Sequence, residues 1–319
     1  KKELTTKLFS MTTEQAATAP IQTFMPTPSA PRLRLPAHAC DTHVHVFGPT
    51  ARFAYASTRN FTPVEAPKEL LFALHKQLGI ERCVIVQSMI HGLDNSVVVD
   101  AIDAGHGHYL GVALAPVEVS AQALQQLAAQ GFRAVRFNFM KHLGMGANPQ
   151  ALVDLTHRLA DQQMHLQVHF EASMIDDLAP WLQRSAVPVV IDHMARVDAT
   201  QGLPGAAFQT LCHLLDSPNF HVKVSGIDRV NEKLPLSNPP YPQGIVLAKH
   251  LVQRFPEQCL WGTDWPHPNH THIPDDGCLV DALTDIAPTP AQLQQLLVDN
   301  PERLYRFSEF EASLKGQTP

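Results

Sequence analysis

The sequence predicts an α/β fold, specifically a single (β/α)₈ TIM barrel. Eight short segments rich in Val, Ile and Leu recur along the chain, as strands buried on both faces do. Amphipathic segments long enough for helices lie between them. No GxGxxG pattern follows the first segment, which removes the commonest cofactor signal of an open doubly wound sheet. The predicted strands are 39–46, 82–87, 109–115, 134–138, 165–170, 187–192, 221–225 and 259–262.

The predicted helices carry start and stop signals. Segments 67–78, 120–130 and 149–163 have apolar residues at helical spacing. Ser120 is a plausible N-cap of the second, and Gly131 a plausible stop. Segment 288–307 predicts a last helix, followed by a shorter one after Pro301.

One domain accounts for most of the chain. The first ten residues precede Met11, and we expect them to be a leader that adds nothing to the fold. Residues 12–37 are rich in Thr, Ala and Pro, which favours an extended N-terminal arm. The predicted organisation is therefore leader and arm over 1–37, a (β/α)₈ barrel over 38–310 and a C-terminal tail over 311–319.

Composition excludes several classes of partner. The 319 residues are 45% hydrophobic and 17% charged, with a formal net charge of −6 and no Lys- or Arg-rich run, so we expect no nucleic acid and no membrane as partner. Five cysteines, none in a CxxC pair, indicate reduced thiols and a cytoplasmic protein. We expect a monomer or homodimer that acts on a small molecule.

Histidines and one aspartate follow several predicted strands. His43 and His45 alternate at the end of the first strand and therefore share a face, although HxH alone is weak among eighteen histidines. His169, His193 and Asp264 follow the fifth, sixth and eighth strands, where barrel enzymes place catalytic groups. These five residues suit one divalent ion such as zinc, and Asp264 could ligate the ion or act as general base on water.

Arginines form a second predicted group at the same face. Arg136, Arg196 and Arg229 follow the fourth, sixth and seventh strands, where a planar guanidinium could bind a substrate carboxylate. The alternative is that they pair inside the protein with Asp192, Glu171 or Asp228. Arg59, Lys141 and His142 could add positive potential, and His91 could either touch a ligand or be a satisfied core histidine.

The ordered motifs resemble a known family. DTHVHVFGP, IVQSMIHGLDN, RFNF, HFEA, IDHMAR and WGTDWPHPN occur in an order similar to the amidohydrolase superfamily, over about residues 33–308. Within it, the chain is most similar to the 2-pyrone-4,6-dicarboxylate lactonases of bacterial lignin-aromatic breakdown, in the protocatechuate 4,5-cleavage route. The resemblance implies hydrolysis of a small dicarboxylate lactone to 4-oxalomesaconate or its enol.

The resemblance also implies roles for single residues. Asp264 would deprotonate the attacking water, and His43, His45 and His193 would surround the lactone carbonyl. The three arginines would hold the two carboxylates. His169 stands at a position where relatives that need no metal have a tyrosine. His142 and Phe61 replace an arginine and a tyrosine of the family pocket. A zinc site and a metal-free site both remain open.

Two other functions fit the same residues. A zinc-dependent decarboxylase of the same superfamily would also use HxH, His and Asp, and it would release carbon dioxide. A non-catalytic binder of aromatic acids would use the arginine pocket and show saturable binding without turnover.

Overall fold

A computed structural model describes residues 19–139, 148–270 and 272–316. Eight parallel strands form one sheet in chain order, so each strand pairs with the next and the predicted barrel topology is confirmed. The strands are β1 Cys40–Val44, β2 Arg82–Val86, β3 Tyr109–Ala113, β4 Phe132–Phe139, β5 His165–Phe170, β6 Val189–Ile191, β7 Phe220–Lys223 and β8 Cys259–Leu260.

Helices connect and surround the strands. α3 begins as predicted, because the Ser120 hydroxyl accepts a hydrogen bond from the Ala123 amide at 3.1 Å. The helices are α1 Lys68–Leu78, α2 Ser96–Ala104, α3 Ala121–Ala129, α4 Pro149–Asp161, α5 Ile175–Leu182, α6 Ala206–Leu215, α7 Pro242–Arg254, α8 Asp276–Asp281, α9 Leu283–Ile286, α10 Pro290–Gln294, α11 Asn300–Tyr305 and α12 Phe307–Lys315. None of the described helices is both long and apolar enough to cross a membrane.

Backbone hydrogen bonds close the sheet between its first and last strands. The Thr42 amide donates to the Trp261 carbonyl at 2.9 Å, and the Asp264 amide donates to the His43 carbonyl at 2.8 Å. A third bond, 2.7 Å long, runs from the His45 amide to the Trp265 carbonyl. The first and eighth strands therefore deliver their functional residues side by side.

The strands match prediction in number and order, and differ at their ends. β8 is only Cys259–Leu260, and β6 is Val189–Ile191. β4 is longer than predicted and runs through Phe139.

The predicted helix break at Pro301 was wrong. Helical turns continue from Pro290 to Tyr305, and Pro301 follows a π-helical turn, Gln295–Asp299, in which the regular α-helical hydrogen-bond pattern is interrupted. The break falls at Arg306, whose φ of 58° is left-handed. α12 then runs to Lys315 and crosses the boundary that we expected at residue 310.

We predict that acid destabilises the fold through His165 and His221, at the starts of β5 and β7. Burial lowers the pKa of His221 to about 4 and that of His165 well below its ordinary value. In the unfolded chain both bind protons near pH 6.5, so the free energy of unfolding falls as the pH drops from about 6.5 to about 4. Urea unfolding of His221→Gln should show a slope shallower by up to about 1.4 kcal/mol per pH unit.

His213→Gln is the matched control for this measurement. The His213 side chain is 77% exposed on α6, and its replacement should leave the slope unchanged. Equal slopes for wild type and His221→Gln would contradict the prediction.

Candidate active site

The predicted histidines and Asp264 converge at the carboxyl end of the barrel. The ring centres of His43 and His45 lie 5.1 Å apart, and those of His43 and His193 lie 4.4 Å apart. His169 is next to His193, with ring centres 5.4 Å apart. All five predicted residues are therefore neighbours in one site.

Asp264 is at the centre of this cluster. Its Oδ1 atom lies 3.4 Å from Nε2 of His45, 3.6 Å from Nε2 of His43 and 3.7 Å from Nε2 of His193. Among the described residues, Oδ1 of Asp264 has no hydrogen-bond partner. Its Oδ2 atom accepts from Nε and Nη2 of Arg229, each at 2.5 Å. Burial alone would raise the pKa of Asp264, but Arg229 and His193 outweigh burial and hold this pKa well below its usual range. Asp264 is therefore an ionised carboxylate with one oxygen free to react.

The second ring nitrogens fix the tautomers of two histidines. Nδ1 of His45 lies 2.7 Å from the Val86 carbonyl, which can only accept, so this nitrogen carries the proton. Nδ1 of His169 lies 3.2 Å from Oδ1 of Asn138, which also only accepts. In the neutral rings Nε2 then carries a lone pair.

His43 is held by two buried charges with opposite demands. Its Nδ1 atom lies 3.2 Å from Nζ of Lys223 and 3.3 Å from Oδ1 of Asp192. The ammonium can only donate to Nδ1, which favours a proton on Nε2, whereas the carboxylate favours the other tautomer. Burial, and then the charge of Lys223, lowers the pKa of His43 to about 4. His43 is therefore neutral near pH 7.

An unusual backbone turn projects His193 and Arg196 into the site. The four residues from His193 to Arg196 all have positive φ, between 48° and 55°, directly after β6. Non-glycine residues avoid this region, and strained backbone of this kind clusters at functional sites. A Cβ at Gly226 would lie 3.0 Å from Cβ of His193, so glycine is needed where β7 leaves the barrel. Asp264 also has a positive φ, 67°.

These donors fit a divalent ion. One ligand atom each from His43, His193 and Asp264 can be chosen so that all lie within 4.8 Å of one another. The Nε2-to-Oδ1 distances resemble the separation of roughly 3.4 Å expected for ligands bonded at about 2.1 Å to a tetrahedral ion. In addition, Nε2 of His45 faces Asp264 Oδ1 across 3.4 Å, and because the His45 proton at Nδ1 points to Val86, a further proton or a metal is needed between these two atoms.

Comparison with known proteins places this barrel in a family. The family model for amidohydrolases matches residues 40–307. The chain belongs to the amidohydrolase family. It is 41% identical to a 2-pyrone-4,6-dicarboxylate hydrolase of Comamonas testosteroni, over 87% of this chain and 93% of that protein.

Two further relatives support the assignment. A 4-sulfomuconolactone hydrolase of Hydrogenophaga intermedia is 37% identical over 86% of this chain and 90% of that protein. A solved structure from Agrobacterium tumefaciens superposes with a TM-score of 0.74 at 25% identity and covers 87% of this chain and 98% of that one.

The amidohydrolase pocket contains the three predicted arginines, but each already faces an internal carboxylate. Arg136 donates through Nε to Asp192 at 2.8 Å, and Arg229 holds Asp264. Nη2 of Arg196 is 4.0 Å from Glu232, with the arginine side chain 23% exposed. The pairing alternative therefore applies to Arg136 and Arg229, whose partners are Asp192 and Asp264. All three arginines line the same cavity as His45, His169, His193 and Asp264.

Arg59 and His91, two further predicted substrate contacts, form hydrogen bonds with their own surroundings. Arg59 bonds within its own loop, through Nε to the Thr62 hydroxyl and through Nη1 to the Ala56 carbonyl, both at 2.9 Å. His91 is buried, accepts from the Gly48 amide at 3.1 Å and contacts the Ala54 carbonyl through Nδ1 at 3.1 Å. Neither lines the cavity. Lys141 and His142 lie outside the described residues.

Sequence reasoning missed several residues that shape the site. Lys223 is fully buried, and its only signal is a charge inside the apolar run HVKVS. His270, expected to be an ordinary loop residue, has a buried side chain, with Nδ1 3.2 Å from Asp228 and Nε2 3.8 Å from Asp264. Asn138, after Arg136 on β4, lines the cavity and orients His169.

We predict that Lys223→Met destabilises the protein by roughly 3 kcal/mol, because it removes one of the cations that compensate the buried Asp192. Lys223 Nζ lies 3.7 Å from Asp192 and also donates to the Thr42 carbonyl at 2.8 Å and to Gln167 at 2.9 Å. Urea unfolding measures the difference. Lys233→Met, at an exposed lysine paired with Asp198, is the control, and equal stability of both variants would contradict the prediction.

Proposed function

We propose that this amidohydrolase hydrolyses 2-pyrone-4,6-dicarboxylate and opens its cyclic ester to 4-oxalomesaconate or the corresponding enol. The observation that carries the proposal is the unpartnered Oδ1 of Asp264, which faces three imidazoles in a cavity lined by three arginines. A reactive carboxylate beside an anion-binding surface suits a lactone that bears carboxylates. The similarity to a hydrolase of this name supports the same substrate.

The arginines can bind a dianion although two of them have internal partners. Arg136 uses Nε for Asp192, and its Nη1 and Nη2 atoms donate to none of the residues that the structure describes. Arg196 lies at 4.0 Å from Glu232, too far for a hydrogen bond, so it is the guanidinium most available to a substrate carboxylate. We assign Arg136, Arg196 and Arg229 to substrate binding.

The chemistry starts with water beside Asp264. As the water oxygen adds to the lactone carbonyl, Oδ1 of Asp264 accepts a proton from it. The carbonyl oxygen becomes an oxyanion, which an Nε2–H group of His43 or His193 would stabilise, while His45 lies beside Asp264 Oδ1 at 3.4 Å. The ring C–O bond then breaks, the enol oxygen takes the proton from Asp264, and the new carboxylic acid ionises.

A metal ion would complement the low basicity of Asp264. A carboxylate with a depressed pKa is always ionised but is a weak base, so the attacking water benefits from being made more acidic. We propose that the site holds one divalent ion, and its nitrogen-rich donor set favours zinc. The ligands would be Asp264 and those of His43, His45, His169 and His193 whose nitrogen towards the ion carries no proton. Such an ion lowers the pKa of bound water and polarises the carbonyl.

We predict that Asp264→Asn lowers kcat about a thousandfold, because the amide cannot accept the proton, while KM changes little. Loss of pyrone absorbance in the ultraviolet measures turnover, and carbon dioxide is assayed in parallel. Asp198→Asn, at a carboxylate bonded to Lys233 outside the cavity, should behave as wild type.

Other outcomes of that assay point elsewhere. Carbon dioxide release in step with pyrone loss would identify a decarboxylase. Binding without turnover in the wild type would identify a binder. A parallel loss of binding and kcat in Asp264→Asn would contradict its role as base.

We predict that the purified protein contains close to one zinc ion per chain, and that dialysis against a chelator removes the ion and most of the turnover. His169→Gln should lower the metal content, because His169 offers an unpartnered Nε2 atom to the cluster. Elemental analysis by mass spectrometry measures the metal independently of activity. Full turnover by metal-free protein would establish the alternative, in which Nε2–H groups alone stabilise the oxyanion.

A further inference from the structure

The N-terminal arm reaches the rim of the active-site cavity. The Ile21 amide donates to the Thr62 carbonyl at 2.8 Å, and the Ile21 carbonyl accepts from the Val64 amide at 2.9 Å. This is a parallel bridge to the loop between β1 and α1. Asn60 and Phe61, in the same loop, line the cavity.

These two hydrogen bonds hold the main chain of loop residues 60–64 in place. Among the main-chain hydrogen bonds of the described residues, they alone tie 60–64 to another element. Further along, Ala66 exchanges a pair of bonds with Phe47, at 2.8 and 2.9 Å, so the end of the loop is fixed independently. The arm therefore holds the half of the loop that faces substrate.

The same arm also packs against the segment that follows β8 and carries Asp264. Phe24 is 8% exposed, and its ring centre lies 5.4 Å from that of Trp265, the residue after Asp264. This segment and the loop meet at the rim, where Nδ2 of Asn60 donates to Oδ1 of Asn269 at 3.2 Å. Asn269 is also a lining residue, five positions after Asp264.

We propose that arm residues 21–24 are positioning residues for substrate binding. By bonding to Thr62 and Val64 and packing on Trp265, they hold Asn60, Phe61 and Asn269 in place before substrate arrives. No arm residue lines the cavity among those described, so the effect passes through the loops. The arm therefore sets KM, while the chemical step at Asp264 proceeds without it.

Two matched pairs of full-length variants test this proposal, which rests on the proposed lactonase activity for its kinetic readout. Ile21→Pro removes the amide donor, whereas Ile21→Ala keeps it and trims a side chain that is 52% exposed. Phe24→Ala removes the contact with Trp265, whereas Phe24→Leu keeps apolar bulk. We expect Ile21→Pro and Phe24→Ala to raise KM about three- to tenfold with kcat within about twofold, since binding must then order the loop side chains.

The control lies at the other end of the arm. Arg32 is bonded to Asp281 at 3.0 Å with its side chain 91% exposed, far along the chain from the loop contacts. Arg32→Ala, Ile21→Ala and Phe24→Leu should keep the wild-type KM. A wild-type KM in Ile21→Pro overturns the proposal. This test does not depend on Phe24→Ala, which could fail to fold.

Hydrogen–deuterium exchange without substrate separates the two proposals. Peptides covering 56–66 should exchange faster in Ile21→Pro than in Ile21→Ala, and unchanged exchange would overturn the supporting role of the arm. A wild-type protein that does not open the pyrone would refute the proposed substrate, and the exchange experiment would still decide whether the arm holds the loop.

Discussion

The burial of two carboxylates at the open end of the barrel determines how the rest of the site is arranged. Asp192 and Asp264 are each 1% exposed, and an unpaired ion at such a place would cost several kcal/mol. Asp192 is compensated by Arg136 and Lys223, and Asp264 by Arg229. Two of these pairings fix Arg136 and Arg229, which also line the cavity. Charge compensation and preorganisation of the site are therefore achieved by the same contacts.

The difference between the two carboxylates follows from their neighbours. Asp192 bonds to Arg136 and accepts from Gln167 at 3.2 Å, so one of its oxygens is used twice, while the other faces the ring of His43 and the lysine ammonium. One oxygen of Asp264 accepts hydrogen bonds from Arg229, and the other lies among imidazole nitrogens without a hydrogen-bond partner among the described residues. Oδ1 of Asp192 also lacks a hydrogen-bond partner among the described residues, but of the two carboxylates only Asp264 lines the cavity that the described residues form. Asp192 is therefore placed to orient the site, and Asp264 to meet a substrate.

Local sequence patterns predicted the barrel, the strand order and the cluster of histidines around Asp264. Period-two spacing placed His43 and His45 on one face, and barrel geometry placed the remaining residues near them. The pairing of Arg229 with Asp264, and the burial of Lys223 beside His43, could not be predicted, because they join residues that are distant in the sequence. The break at Arg306 rather than Pro301 was also hidden, since the π-helical turn before Pro301 has no signal in the sequence pattern.

The arm and loop are joined through peptide groups, and this has a consequence for how such enzymes diversify. Any residue except proline presents the same amide and carbonyl, so a main-chain bridge does not depend on which side chains flank it. Positions 60 and 61 can therefore be exchanged while the loop keeps its path, and new ring substituents can be recognised without rebuilding the barrel. Relatives named for different lactones, a pyrone dicarboxylate and a sulfomuconolactone, illustrate the range that one scaffold accommodates. Substitutions at the rim can therefore change which substrate is bound with little effect on the free energy of unfolding.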